Sequence, residues 1–260
     1  ISVVLLMQRR TGELMARRGE LLAMEPAVVV TMGFVAPGGA RLREARAKAT
    51  APVIVTSDSE FGTVAEKLPE GETTAKLSVQ AAAPVESPVT LRNVIASLPG
   101  SDPALREQYV LLTAHYDHTG VAARGEDRIN NGANDDASGV ASVLALAEAF
   151  GGMKTRPKRT LVFMTYFGEE KGLLGSRYYA AHPVFPLRRT TANLNLEHMG
   201  RTDDNEGDRT GKITSTGFGY TTLGKVLQEA GMATGVEAWE HAKNSEEFFG
   251  RSDKIGRAHV

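Results

Sequence analysis

Six side chains between residues 115 and 197 could together hold a divalent metal and move a proton: His115, Asp117, Asp135, Glu169, Glu170 and Glu197. Zinc accepts imidazole nitrogen and carboxylate oxygen, and a carboxylate can bridge two ions. Glu169 and Glu170 are adjacent, and in an extended chain neighbouring side chains point to opposite sides. One of the pair can therefore ligate while the other faces a water as general base. Asp117 lies two residues beyond His115 and could accept its second imidazole proton, fixing the tautomer. Taken singly, each residue has an ordinary reading as a solvated or capping carboxylate, or an exposed strand-end histidine. Glu169-Glu170 could equally favour a helix dipole. Together they argue for a site, because each is expected at the end of a strand or helix in one α/β unit.

The elements that must position them run from Tyr109. The segment Y-V-L-L-T-A-H-Y-D-H-T-G opens with the apolar run Val110, Leu111 and Leu112, as a buried strand would, and His115, Asp117 and His118 follow where it should stop. Asn130 to Ser138 is a loop of small and acidic residues. Ser138 is expected to cap a helix whose apolar positions Val140, Val143, Leu144 and Ala147 recur at helical spacing. A strand, a polar loop and a helix make half of a parallel α/β unit, in which ligands collect beyond the carboxyl ends of the strands. The pattern continues with a strand over Thr160 to Phe167, ending at Gly168-Glu169-Glu170, and a helix over Leu173 to Ala181. A strand over Ala192 to Leu196 ends at Glu197. A fourth is expected over Lys212 to Thr216, and a helix over Thr221 to Glu229, closed by Gly231.

Ahead of this lies a different region. Gln8 to Met24 is charged, with Leu14, Met15, Leu21 and Leu22 at roughly helical spacing, and Arg9, Arg10, Arg17 and Arg18 form a solvated face. Ala27 to Val35 and Pro52 to Thr56 are expected as strands. Ser57 and Glu60 form a capping-box pattern for a helix to about Leu68, and Thr74 to Gln80 alternates as a strand. This small α/β module has no cluster of metal ligands and is read as a scaffold. Ala81 to Pro88 is a linker, and Thr90 to Leu98 is a strand leading into the second domain.

Composition adds limits. With 260 residues the chain has room for one large or two small domains, and 42% hydrophobic and 23% charged residues are ordinary for a globular protein. A net charge of −1 supplies no field for nucleic acid or an anionic membrane. With no cysteine, disulfides and thiolate metal sites are impossible. The longest apolar runs, such as Ile1 to Met7, are too short to span a bilayer. No complete signal peptide is visible, and both ends read as incomplete.

Four ordered motifs, H-Y-D-H-T-G, G-A-N-D-D-A-S-G-V-A, G-E-E-K-G-L-L-G-S and N-L-E-H-M-G, resemble those of the co-catalytic zinc aminopeptidases and glutamate-carboxypeptidase-like peptidases. The resemblance covers about residues 90 to 253. It implies a three-layer α/β sandwich with a mixed, mostly parallel sheet flanked by helices. It implies two Zn2+ ions, with His115 and Glu197 on one, Glu170 on the other and Asp135, rather than Asp136, bridging them. It implies Glu169 as general base and Asp117 as the partner of His115. Residues 1–85 resemble part of a protease-associated lobe, leaving 86–260 as a peptidase domain incomplete at its C-terminus. The substrate implied is a peptide cut near a free chain end, most readily by an aminopeptidase, in an exported (periplasmic or extracellular) setting. The alternatives are a glutaminyl-cyclase-like zinc transferase and a non-catalytic receptor-like relative.

The chain departs from this pattern once. The family's last ligand, a histidine after Arg-Ser-Asp, is replaced by Lys254 after Arg251-Ser252-Asp253, and His259 is out of place. The tail K-I-G-R-A-H-V is also what one frame of a common sequencing adapter encodes, so it reads as a truncated gene. With Asp135 and Glu170 alone on the second ion, the expectation is one tightly bound zinc and weak aminoacyl hydrolysis.

Overall fold

β-branched runs become strands in both parts of the chain. The computed structural model describes residues 3–6, 25–32, 53–69, 71, 74, 76–78, 87–122, 124–202, 209–241 and 248–253. The chain divides into two units, Ile1–Val89 and Thr90–Val260. In the first, β1 (Val3–Leu6), β2 (Val28–Met32) and β3 (Val53–Thr56) form a parallel sheet in that order. Helix α1 (Ser59–Ala65) follows, capped by Asp58 and not by Ser57: the Asp58 carboxylate accepts from the Phe61 N–H at 2.9 Å. A carboxylate there also opposes the positive helix end, which a hydroxyl cannot. The helix expected over Gln8 to Met24 lies outside the described residues, as do residues 81–86 of the linker. Thr74 and residues 76–78 are described and form no strand.

The second unit contains β4 (Val94–Leu98), β5 (Tyr109–His115), the short pair β6 (Gly120–Val121) and β7 (Ile129–Asn130), and helix α2 (Ser138–Gly151). It continues with β8 (Thr160–Tyr166), α3 (Leu174–Ala181), β9 (Thr190–Asn195), β10 (Lys212–Thr214), α4 (Leu223–Thr234) and β11 (Glu237–Trp239). The main sheet has the order β4-β8-β5-β9; β4 is antiparallel to β8, while β5 runs parallel to both neighbours. It is therefore mixed and mostly parallel, with helices on its faces.

The layers follow from the pleat. Leu111, Val162, Met164 and Tyr166 pack with Tyr179 of α3, whereas Leu112, Ala114, Leu161 and Phe163 pack with Val143 of α2. Alternate residues of β5 and β8 thus meet different helices, which is why both strands read as continuous apolar runs. Leu144, expected on the buried stripe of α2, is 63% exposed; Val140, Leu146, Ala147 and Phe150 complete that stripe instead.

Two further expectations are corrected, and the strand expected at Lys212 forms outside the main sheet. Ser138 does not cap α2: its hydroxyl donates to the Asn134 carbonyl and accepts from the Met199 N–H. The capping bond comes from Asp136, whose Oδ1 accepts from the Gly139 N–H at 3.2 Å. The strand at Lys212 pairs with β11 in a separate two-stranded sheet. Helix α4 runs through Gly231 to Thr234 and closes at Gly235, whose φ of 76° is left-handed. Gly231 serves close packing instead, since a Cβ there would sit 2.3 Å from the Val236 carbonyl oxygen. Among the described residues no helix is long and apolar enough to cross a membrane.

Candidate metal centre

Strands β5, β8 and β9 all point their carboxyl ends to one edge, and the candidate residues stand there. His115, the last residue of β5, is 1% exposed. Its Nε2 lies 3.1 Å from Asp135 Oδ1. Its Nδ1 lies 2.9 Å from the Asp117 backbone oxygen and 3.6 Å from Asp117 Oδ1. The nearest acceptor for the Nδ1 proton is thus the Asp117 carbonyl, not the carboxylate expected from the sequence. The carboxylate is engaged elsewhere: Oδ1 accepts from the N–H groups of Gly168 and Glu169 at 2.8 and 3.1 Å. One residue therefore orients His115 with its main chain and anchors the Glu169 loop with its side chain.

The remaining ligand candidates approach from two sides. His118 Nδ1 lies 2.8 Å from Glu170 Oε1 and 3.9 Å from Asp135 Oδ2. His198 Nε2 is 3.8 Å from the same Asp135 oxygen, and its Nδ1 is 2.9 Å from Asn134 Nδ2. On β9, the register pairs Thr113 with Asn195, which carries Glu197 alongside His115. Thr113 Oγ1 donates to Asn195 Oδ1 at 2.8 Å, and Asn195 Nδ2 lies 2.9 Å from Glu197 Oε1 and 2.8 Å from Ser252 Oγ, donating to both. Sequence reasoning missed His118, Asn195 and Asp253. The signals were the asparagines at alternate positions of β9, and a second histidine three residues after the first.

Electrostatics tie these groups together. Burial disfavours the His115 cation, but the Asp117 carboxylate and the charges of Asp136, Glu169 and Glu197 outweigh it and push its pKa up to about 10. Burial pushes Glu169 up to about 7; His115 opposes this, and Glu197, Asp253 and Glu170 add to it. Asp117 is held below the usual range: its burial is outweighed by His115 and the two loop N–H groups. Asp136 is pushed up to about 7, chiefly by burial, while accepting from the His115 and Gly139 N–H groups. It supports β5 and α2 from beneath the site.

The donor set fits zinc. It combines imidazole nitrogens with carboxylates, and His118 Nδ1 and Glu170 Oε1 are buried atoms without a hydrogen-bond partner. Buried polar atoms are nearly always satisfied, so such a facing pair calls for a shared partner.

Asp253 lies below this centre, fully buried, accepting from the Ser176 hydroxyl at Oδ1, with Oδ2 lacking a hydrogen-bond partner. Burial, against the Ser176 bond and the His115 charge, raises its pKa to about 6. The folded chain therefore holds this proton more tightly than the unfolded one. The stabilisation is complete below the unfolded value of about 4 and disappears as pH rises through about 6, a change of roughly 3 kcal/mol. Asp253→Asn keeps the hydrogen-bonding shape without the titration. Denaturant unfolding of the metal-free chain between pH 4 and 7 should be flatter in the variant by about that amount. An identical pH dependence would show that Asp253 does not titrate there.

The sequence profile of peptidase family M28 matches residues 93–258. This chain belongs to peptidase family M28. A probable zinc metalloprotease of Pyrenophora tritici-repentis is 35% identical over 126 residues, covering 47% of this chain and 24% of that protein. A vacuolar membrane protease of Vanderwaltozyma polyspora is 39% identical over 108 residues, covering 42% and 10%. The chain thus matches about a quarter or less of the length of these relatives. Among solved structures, the LapA aminopeptidase of Legionella pneumophila aligns with a TM-score of 0.48 at 23% identity, covering 62% of this chain and 40% of that one. The aminopeptidase from Aneurinibacillus sp. strain AM-1 aligns at 0.46 and 21% identity, covering 93% and 60%.

Proposed function

We propose that this M28 chain carries the site of a zinc-dependent exopeptidase, an aminopeptidase with two metal positions and Glu169 as general base. The observation that carries it is the meeting of His115, His118, Asp135 and Glu170 at one sheet edge, with Glu169 beside them. Family membership and the metalloprotease and aminopeptidase names of the proteins it resembles support the same reading. His115, Asp135 and Glu197 would hold one ion, and Asp135 and Glu170 the other. Bound zinc would supply Lewis-acid polarisation of the scissile carbonyl and acidify a water.

The chain's own residues do the rest. Glu169 takes a proton from the attacking water and delivers it to the leaving amine. A carboxyl poised near neutrality can do both, and burial brings Glu169 to that range. Asp117 keeps Glu169 in place through the loop N–H groups and keeps His115 oriented through its carbonyl. By the same reading, residues 1–85 are part of a protease-associated lobe, the substrate is a peptide and the protein is exported. No group of metal-ligating side chains occurs among the described residues of the first unit, which suits an accessory role.

The test is hydrolysis of aminoacyl-p-nitroanilides with free and N-acetylated amino ends, before and after chelation. Cleavage of the free forms alone, lost on chelation and restored by zinc, is expected. Cleavage of acetylated substrates at equal rate would overturn the aminopeptidase mode, and indifference to chelation would overturn the metal.

A further inference from the structure

We propose that His118 is a metal ligand of this protein through Nδ1, acting with Asp135 and Glu170. This deepens the proposed function and rests on the same metal centre. It gives the second metal position a third protein ligand that the sequence reading did not supply.

Three observations carry it. First, among the described residues, His118, Asp135 and Glu170 are the group whose ligand atoms all lie within 4.8 Å of one another. Second, His118 Nδ1 and Glu170 Oε1 approach to 2.8 Å, yet both are buried and neither makes a hydrogen bond. Such an approach needs a cation between the two atoms, either a proton or a metal ion, and a metal ion can serve both atoms and Asp135 at once. Zinc bonds of about 2.0–2.2 Å imply tetrahedral ligand–ligand edges of roughly 3.3–3.6 Å. The separations of 2.8 Å to Glu170 and 3.9 Å to Asp135 straddle that edge, so small side-chain rotations suffice. Third, the backbone at Gly132 packs against the His118 side chain. Gly132 approaches so closely that a Cβ there would sit 2.8 Å from His118 Cβ and 3.0 Å from Cγ.

The two oxygens of Asp135 complete the arrangement. Oδ1 faces His115 Nε2 at 3.1 Å, and Oδ2 faces His118 Nδ1 at 3.9 Å. A bridging carboxylate would then meet one imidazole on each side, one buried and one at the rim. Nδ1 coordination leaves the His118 Nε2–H free to donate into the adjoining pocket, which Tyr116, His118, Asn131 and Val140 help to line.

The experiment counts metal on the chain as it stands. Zinc per chain is measured by native mass spectrometry for the unaltered protein, His118→Ala and His115→Ala, each checked for folding by circular dichroism. Two ions in the unaltered chain and one in His118→Ala are expected. Equal zinc in the unaltered chain and His118→Ala, with a loss in His115→Ala, would overturn the role of His118 and leave the metal centre standing. No change in either variant would sink both. A measurement on the unaltered chain guards against misfolded variants: imidazole 15N resonances followed through a zinc titration. His118 Nδ1 should move with the second equivalent of zinc, and a stationary Nδ1 signal would overturn the proposal.

Discussion

Glu169→Gln is expected to cut turnover by about 10²–10⁴ while leaving zinc content unchanged. Glutamine keeps the size of the side chain and the loop N–H bonds to Asp117, but it cannot take a proton from water. Loss of its negative charge weakens the attraction for a cation but also eases deprotonation of His115, so the two effects oppose each other and metal affinity should shift little. The check pairs steady-state rates on an aminoacyl-p-nitroanilide with metal analysis of the same preparation. A fully active Glu169→Gln would remove Glu169 from the role of base. Loss of zinc in parallel with activity would instead mark it as a ligand.

Asp135→Asn should have the larger effect on metal. Its two oxygens face His115 and His118, so one substitution weakens both metal positions. Altering a residue that only orients a ligand typically costs 10–100-fold in affinity, and removing a bridging charge should exceed about 100-fold at each position. We expect zinc to fall below one ion per chain and turnover to fall with it. His115→Ala should spare the second position, so the contrast between the two variants identifies the bridge. Equal zinc in Asp135→Asn and the unaltered protein would rule out a bridging role.

The strands were legible because burial on both faces writes itself as an apolar run. β5 ends at His115 as expected, and β8 stops one residue early at Tyr166. The carboxyl ends of those strands located the neighbourhood of His115, Asp135 and Glu170 before any geometry was known. What stayed hidden depended on backbone direction beyond the strands. His118 was visible as a residue, but where its ring lies is set by the turn after β5. Asp135 and Asp136 are indistinguishable by composition, and only three dimensions separate a carboxylate facing two histidines from one buried beneath β5 and capping α2. Gly231 read as the helix stop on paper; the left-handed φ instead falls at Gly235.

The support under Glu197 is drawn from distant parts of the chain. Thr113 and Asn195 are 82 residues apart, Ser176 and Asp253 are 77, and Asn195 and Ser252 are 57. By contrast, His118 meets Asp135, 17 residues on, across a stretch that contains the short β6–β7 pair, and Glu170, 52 residues on, at the end of the neighbouring strand β8. Contacts of long sequence separation carry a larger loop-closure cost and form late. The two halves of the centre therefore have different histories during folding. The local half around His118 and Asp135 can take shape with β5 and α2, whereas the Glu197 half waits for residues 252–253 to dock beneath the sheet. A nascent chain would bring His118 and Asp135 together well before the support under Glu197 is in place.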